Sequence, residues 1–96
     1  AMQLAFGKSN NLWVSSTKSM TGHLLGAAGA IEAIIAIKSI NNNVIPATIN
    51  IENIDPAIPE GINIVVNQPL EKTVQTAMSN AFGFGGHNSS ILFKKI

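Results

Sequence analysis

The chain has 96 residues, of which 46% are hydrophobic, only 11% charged and 5% aromatic, with a formal net charge of +1. An average soluble domain carries about 25% charged residues, and this chain has neither a clustered basic face nor a series of stacking rings to bind nucleic acid. It has no cysteine, which excludes a disulfide framework and a cysteine nucleophile within it and favours a reducing, cytoplasmic setting.

So little charge on so short a chain predicts that another polypeptide covers part of its apolar surface, either a second copy or a further part of the same protein. Ala1 and Met2 are typical of the remnant of a cleaved tag, so we expect residues 3–96 to be an excised region of a longer protein. Met2–Phe6 is typical of the end of a helix and Leu12–Ser15 of a short strand.

The longest predicted element is a helix over Leu24–Ile40, where apolar residues recur every three or four positions. We expect Thr21 or Gly22 to cap the start of this helix, and we expect the helix to end in the Asn41–Asn43 cluster. Glu32 interrupts the apolar run, whose pieces are shorter than the roughly 18 residues of a membrane span. Apolar and small residues alternate around the whole helix, which predicts a buried, central position.

Strand signals dominate the rest of the chain. Residues 44–61 contain three prolines and a glycine, which predicts an extended connector with little regular structure. A short strand is predicted over Ile62–Val66, followed by a hairpin of Thr73–Phe82 and His87–Lys94 joined through Gly83–Gly86. This order predicts a layered α/β fold with the long helix against a mixed sheet.

Lys18 and His23 flank the segment that leads into the long helix. Backbone N–H groups and the positive end of a helix dipole favour an anion at such a place, and a neutral imidazole there can donate to a developing oxyanion. The alternative for His23 is a ring near a cap that bonds to local backbone, and the alternative for Lys18 is a solvated charge.

Glu32 is the third candidate, because a carboxylate inside an apolar helix is rarely tolerated without a partner. We expect Lys18 to be that partner. Nine residues at about 100° each place Glu32 and His23 on different helix faces unless His23 lies in an irregular entry turn. The alternative is that Glu32 meets solvent at a gap between elements.

The glycine-rich run from Asn80 to Asn88 is the fourth feature. It lacks the last glycine and the following helix of a dinucleotide fingerprint. Phe84 stands between Gly83 and Gly85–Gly86, and glycines can absorb the backbone changes that swing a ring in and out of a cavity. The alternative is a tight loop whose Phe84 packs in the core.

Two motifs together identify a family. Residues Ser15–Gly29 (SSTKSMTGHLLGAAG), followed by Asn80–Asn88 (NAFGFGGHN), closely resemble the C-terminal part of β-ketoacyl-[acyl-carrier-protein] synthases, and Leu24 is more similar to the type II enzymes. The resemblance extends from about Leu12 to Ile96. It implies a thiolase-like fold built from two similar halves, of which this chain is the C-terminal part of the second, and a homodimeric parent.

The resemblance also implies roles for single residues. His23 matches the histidine that stabilises the malonyl thioester enolate, Lys18 the motif lysine, and Glu32 the helix carboxylate that pairs with it. Phe84, in the loop Gly83–Gly86, matches the gating phenylalanine beside the nucleophile. Asn80 and Glu32 match positions that some relatives use around a structural monovalent cation.

The family's nucleophilic cysteine and its second catalytic histidine have no counterpart here, and His87 is not that histidine. The chain is therefore expected to be inactive alone, with no cofactor, and to work with the N-terminal part of the same protein and with acyl carrier protein, away from nucleic acid and membranes. Two alternatives stay open: a non-catalytic module that binds an anionic thioester or phosphate at the helix start near His23, and a structural oligomerisation domain.

Overall fold

One long helix packs against a C-terminal β-hairpin in this protein, for which a computed structural model describes all residues from 1 to 96. The elements in chain order are α1 (Met2–Phe6), β1 (Trp13–Val14), α2 (Lys18–Thr21), a 3-10 turn (Leu25–Ala27), α3 (Ala28–Asn42), β2 (Val44–Ile45), β3 (Asn63–Ile64), β4 (Leu70–Glu71), β5 (Thr76–Gly83) and β6 (His87–Lys94).

The strands form three separate pairs. The β1–β3 pair is parallel, whereas β2–β4 and β5–β6 are antiparallel. The predicted α/β class with mixed strand directions is confirmed, but the strands within this chain do not join into one sheet. The connector over residues 44–61 has little regular structure, as predicted, with only β2 and an isolated bridge from Thr48 to Val66. Asn43 accepts hydrogen bonds from the N–H groups of Lys72 at 3.0 Å and Val74 at 3.2 Å, which brings the segment around β4 alongside β2.

The long helix starts later than the sequence pattern predicted. Neither Thr21 nor Gly22 caps it: α3 begins at Ala28, after the 3-10 turn, and Ala27 is its N-cap. Positive φ angles at Gly22 (73°) and Leu25 (50°) break the helical path between α2 and α3. The other end is as predicted, because Asn43 adopts the left-handed conformation with φ 54°.

The C-terminal hairpin matches its prediction closely. His87–Lys94 is β6, and β5 pairs with it in an unbroken register from Thr76↔Lys94 to Gly83↔His87. One face of the hairpin packs on α3. Gly85 and Gly86 have φ angles of 84° and 83° in the three-residue loop, a backbone conformation that glycine adopts without strain.

The core is small. Six residues are buried, and only two of them, Ala36 and Ile40, lie on α3, so the predicted burial of both helix faces is wrong within this chain. Ile34 and Ile37 are exposed, and a Cβ added at Gly29 would meet no atom within 4 Å. No helix in the structure combines the length and apolarity that a membrane crossing requires.

The total accessible surface is 6973 Å². A compact monomer of 10.1 kDa is expected to expose about 5,300 Å². The difference of about 1,700 Å² is twice the area that one partner contributes to a standard protein interface, about 800 Å². The predicted bare apolar surface is therefore present.

A groove of about 780 Å³ lies between β1 and β5. Its walls are residues 11–18 on one side and 72–80 on the other, and Ile35 and Ala36 of α3 also line it. Part of the uncovered surface therefore lies in this groove.

We expect the 96-residue chain to self-associate through this groove, because apolar patches beyond a few hundred Å² rarely stay uncovered in water. Leu92→Glu puts a carboxylate on a groove residue and should shift the distribution toward monomer in sedimentation velocity or native mass spectrometry. Leu4→Glu, on the exposed surface of α1 outside the groove, should leave the distribution unchanged. A wild-type monomer that binds no apolar dye contradicts this prediction.

Candidate functional site

Lys18 and Glu32 form an ion pair, as the sequence predicted. Lys18 Nζ donates a hydrogen bond to Glu32 Oε1. Lys18 lies at the start of α2 and Glu32 in the second turn of α3, so the pair joins two helices that the chain separates by an irregular loop. The alternative interpretations, a solvated Lys18 and an unpaired Glu32, are wrong.

The two partners are unequally exposed. The side chain of Lys18 is 36% exposed and that of Glu32 is 15% exposed. A carboxylate with so little water around it depends on the neighbouring ammonium for solvation. The sequence indicated this, because apolar residues flank Glu32 on the helix.

His23 lies in the irregular loop before α3. This is the irregular entry turn that the sequence left open for His23, and Leu24 and the 3-10 turn separate it from the start of α3 at Ala28. The ring has a local partner: His23 Nδ1 accepts a hydrogen bond from the backbone N–H of Leu25 at 3.0 Å. The anion-binding alternative, which relied on a helix dipole at His23, loses its geometric basis.

This hydrogen bond determines where the imidazole carries its proton. An N–H donor requires an unprotonated acceptor, so the neutral ring holds its proton on Nε2. The residue is exposed, and Nε2–H is free to donate to a substrate oxygen. The backbone therefore supplies a hydrogen-bond partner to Nδ1, as the alternative interpretation held. The same hydrogen bond leaves the proton on Nε2, which can act as a donor.

Sequence analysis missed the part that Leu25 plays in this arrangement. Its φ of 50° is uncommon for a residue with a Cβ and costs of order 1 kcal/mol or more. That conformation accompanies the contact between its N–H and the ring of His23. Nothing in the residue type indicates a left-handed conformation, so no pattern in the sequence could have identified it.

Phe84 stands at the tip of the β5–β6 hairpin. Its side chain is fully exposed, so the alternative that it packs in the core is wrong within this chain. Gly83 closes the hairpin opposite His87, and Gly85 and Gly86 complete the loop. The ring is thus carried on a short loop of flexible backbone.

Asn80 and Glu32, the residues matched to a monovalent cation, line the same groove. Both offer oxygen atoms, which hard cations prefer. Asn80 Oδ1 already accepts a hydrogen bond from Ser90 Oγ at 2.6 Å, and the ammonium of Lys18 beside Glu32 repels a cation. No group of three or more His, Cys, Asp or Glu side chains comes together as a metal site. The two oxygens fit a cation poorly, and the cation stays a prediction from the resemblance.

Comparison with known proteins matches this arrangement to one family. The family model for the beta-ketoacyl synthase C-terminal domain matches residues 1–52, more than half of the chain. The chain belongs to the beta-ketoacyl synthase family. The matched region includes Lys18, His23 and Glu32, so the ion pair and the imidazole both lie in the part that defines the family.

The individual relatives agree. The chain is 45% identical over 97 residues to 3-oxoacyl-[acyl-carrier-protein] synthase 2 of Coxiella burnetii, covering 100% of this chain and 23% of that protein. The solved ishigamide ketosynthase/chain length factor superposes with a TM-score of 0.89 at 29% identity, over 99% of this chain and 23% of that chain. A solved complex of a type II polyketide synthase acyl-carrier protein with its ketosynthase gives a TM-score of 0.78 at 34% identity, over 85% of this chain and 20% of that chain.

These matches confirm the predicted family and its thiolase-like fold. The chain spans 20–23% of the length of these proteins. The complete relatives are therefore four to five times as long as the part of the fold seen here.

Removing Lys18 should cost more stability than removing Glu32, because the partner left behind differs in exposure. Lys18→Met leaves a carboxylate that is 15% exposed without its cation, and should lower the free energy of unfolding by about 1–3 kcal/mol. Glu32→Gln leaves an ammonium that reaches water and should cost less than about 1 kcal/mol. Urea unfolding followed by circular dichroism measures both values.

The double variant Lys18→Met with Glu32→Leu serves as the control, because it removes both charges at once. Its stability should exceed that of Lys18→Met alone. Equal losses for the two single variants, or a double variant no better than Lys18→Met, would show that the pair contributes only packing.

Proposed function

We propose that this chain is the C-terminal part of a type II β-ketoacyl-[acyl-carrier-protein] synthase, which elongates acyl chains by decarboxylative condensation in fatty acid synthesis. The observation that carries the proposal is the hydrogen bond from Leu25 N–H to His23 Nδ1 at 3.0 Å, which leaves Nε2–H as an exposed donor. Membership of the beta-ketoacyl synthase family and the names of the relatives support it.

The proposed reaction is the one that membership of the family implies, and a donor such as His23 Nε2–H suits one of its steps. A malonyl thioester loses carbon dioxide, and the electron pair of the broken carbon–carbon bond moves into the thioester carbonyl, giving an enolate. His23 Nε2–H donates to the enolate oxygen, where negative charge develops. The enolate carbon attacks an acyl thioester, a new carbon–carbon bond forms, and a cysteine thiolate leaves. The products are carbon dioxide and a β-ketoacyl thioester.

Lys18 and Glu32 complete the proposed site from this chain. The ion pair links α2 to α3, and in this proposal its ammonium lies near a reaction that generates anions. The Lys18–Glu32 pair has no net charge, so it contributes a dipole to the electrostatic field of the site and not an isolated positive charge.

The cysteine nucleophile and the second histidine come, in this proposal, from the remaining polypeptide. The backbone of β1 supports its docking in the groove. The carbonyls of Leu12 and Val14 accept hydrogen bonds from the strand on one side, so by alternation the N–H and C=O groups of Trp13 and Ser15 face away from it. These groups form an unpaired strand edge beside the groove.

An extended segment of the remaining polypeptide, added at this edge, would supply hydrogen-bond partners to the backbone groups of Trp13 and Ser15. The 1,700 Å² of excess surface is area for this contact.

We further propose acyl carrier protein as the substrate carrier, a homodimeric parent and a cytoplasmic location. The role of acyl carrier protein is supported by a solved relative of the chain, which is a ketosynthase in complex with an acyl-carrier protein. The cytoplasmic location is supported by the lack of cysteine, which suits a reducing compartment. The 96-residue chain alone has no nucleophile and is expected to catalyse no condensation.

His23→Ala in the full-length synthase should lower the rate of malonyl decarboxylation by about 10²- to 10³-fold, the usual loss for one oxyanion donor. Acyl transfer to the cysteine should change much less, because that step needs no donor at the malonyl oxygen. The two half-reactions are measured separately, by release of labelled carbon dioxide and by formation of acyl-enzyme. His87→Ala is the control, and it should affect neither. Equal loss in both half-reactions for His23→Ala would mean that the ring is structural.

The loop Gly83–Gly86 is proposed as a gate. Phe84 is fully exposed at the hairpin tip, and positive φ angles at Gly85 and Gly86 make the loop depend on glycine. A ring beside the nucleophile would block malonyl entry until an acyl chain is bound, and would then move aside. This order prevents wasteful decarboxylation at an empty cysteine.

Phe84→Ala in the full-length synthase should therefore raise malonyl decarboxylation by the unacylated enzyme. Gly85→Val should lower turnover instead, because a β-branched residue resists a φ of 84°. The exposed Phe82, on β5, offers Phe82→Ala as a control that removes a ring without touching the loop. If Phe84→Ala keeps the wild-type order of substrates, and the loop superposes in structures with free and acylated cysteine, the gate does not exist.

A further inference from the structure

The turn that carries Lys18 is tied to a distant part of the chain. Ser19 Oγ accepts a hydrogen bond from the backbone N–H of Ile49 at 3.0 Å, and Thr48 Oγ1 accepts one from the backbone N–H of Ser16 at 2.8 Å. Ser19 Oγ also donates to Ser16 O at 3.0 Å. Side chains from both segments thus take part, and two hydrogen bonds link residues about 30 positions apart.

The connector end of this link is itself held in place. Thr48 N–H donates to Val65 O at 2.8 Å, and Asn67 N–H donates to Thr48 O at 2.9 Å. The side-chain amide of Asn67 contacts both backbone groups of Ile51, at 3.0 Å and 2.7 Å. The segment around Thr48 therefore behaves as part of the β1–β3 unit, even though it belongs to no strand.

The turn needs such an anchor. With four residues, α2 is a single helical turn, and an isolated turn does not hold its shape in water. No side chain caps its N-terminus. It is held by the link to the connector at Ser16 and Ser19, on either side of Lys18, by the burial of Thr17 and by the ion pair from Lys18 to Glu32.

We propose that Ser19 is a positioning residue for Lys18: its hydroxyl ties the turn to Ile49 and so holds the ammonium of Lys18 against Glu32. Thr48 assists from the opposite direction through Ser16. The connector, which carries no catalytic group, thereby sets where Lys18 lies relative to α3. This inference rests on the proposed function of Lys18 in the synthase.

Ser19→Ala in the full-length synthase tests the proposal. It should lower the rate of malonyl decarboxylation by about 10- to 100-fold, the range expected when a group of the site is misplaced by up to about 1 Å, and should leave acyl transfer nearly unchanged. Ser19→Thr keeps the hydroxyl and should restore most of the rate. Ser9→Ala is the matched control, because Ser9 Oγ bonds only to the nearby backbone N–H of Asn11 and Ser9 lies outside the groove, and it should stay near the wild-type rate.

A double-mutant cycle separates positioning from general structural support. Lys18→Met is expected to lower decarboxylation by about 10²-fold. If Ser19 acts through Lys18, adding Ser19→Ala to Lys18→Met should lower the rate no further. A further loss in the double variant equal to that of Ser19→Ala alone would overturn the proposal.

Two more outcomes are decisive. A wild-type rate for Ser19→Ala, together with an impaired Lys18→Met, overturns the inference and leaves the proposed function standing. A wild-type rate for Lys18→Met overturns the role of Lys18 and the inference together. Should Ser19→Ala fail to fold, Thr48→Val cuts the second hydrogen bond of the link without changing the turn itself. It should show the same selective loss in decarboxylation, and unaltered decarboxylation there would overturn the proposal.

Discussion

The ion pair between Lys18 and Glu32 is the contact on which the geometry of the site depends. It joins a single helical turn, which has little stability of its own, to the longest helix of the chain. The turn is fixed from the other side by the hydrogen bonds of Ser16 and Ser19 to the connector. Because Glu32 is the less exposed partner, the carboxylate depends on the ammonium more than the ammonium depends on it. Through α2, the pair therefore connects α3 to the segment that bonds to the connector.

A backbone group, and not another side chain, forms the hydrogen bond to the ring of His23. The loop from Gly22 to Ala27 leaves the helical path twice, at Gly22 and at Leu25, and the second departure accompanies the N–H that reaches His23 Nδ1. A residue with a Cβ in a left-handed conformation is a small local cost that the surrounding structure must offset. In return, the ring keeps its donor on the outward nitrogen. Strain of this kind is typical of functional sites.

The chain carries more uncovered surface than a compact monomer of its size requires. A fold that spans 20–23% of its relatives exposes about 1,700 Å² more than a compact monomer of its mass, and its groove carries an unpaired strand edge at Trp13 and Ser15. The low charge of the sequence is consistent with this large exposed apolar surface. Lys18 and Glu32 line the same groove, so the ion pair adjoins that surface.

The sequence by itself determined the family, the hairpin and the pairing of Lys18 with Glu32. The hairpin follows from glycines and from alternating residue types. The ion pair follows from a carboxylate that lies among apolar neighbours and needs a cation as its partner. The family follows from two sequence motifs. The sequence could not give the start of α3, the Leu25 N–H that bonds to the ring of His23 or the link from Ser19 to Ile49. The periodic pattern continues through Leu24, yet positive φ at Leu25 interrupts the helix, and no residue type specifies that angle. Only the tertiary structure decided these points, because they depend on hydrogen bonds between segments about 30 residues apart and on backbone conformations that surrounding contacts impose.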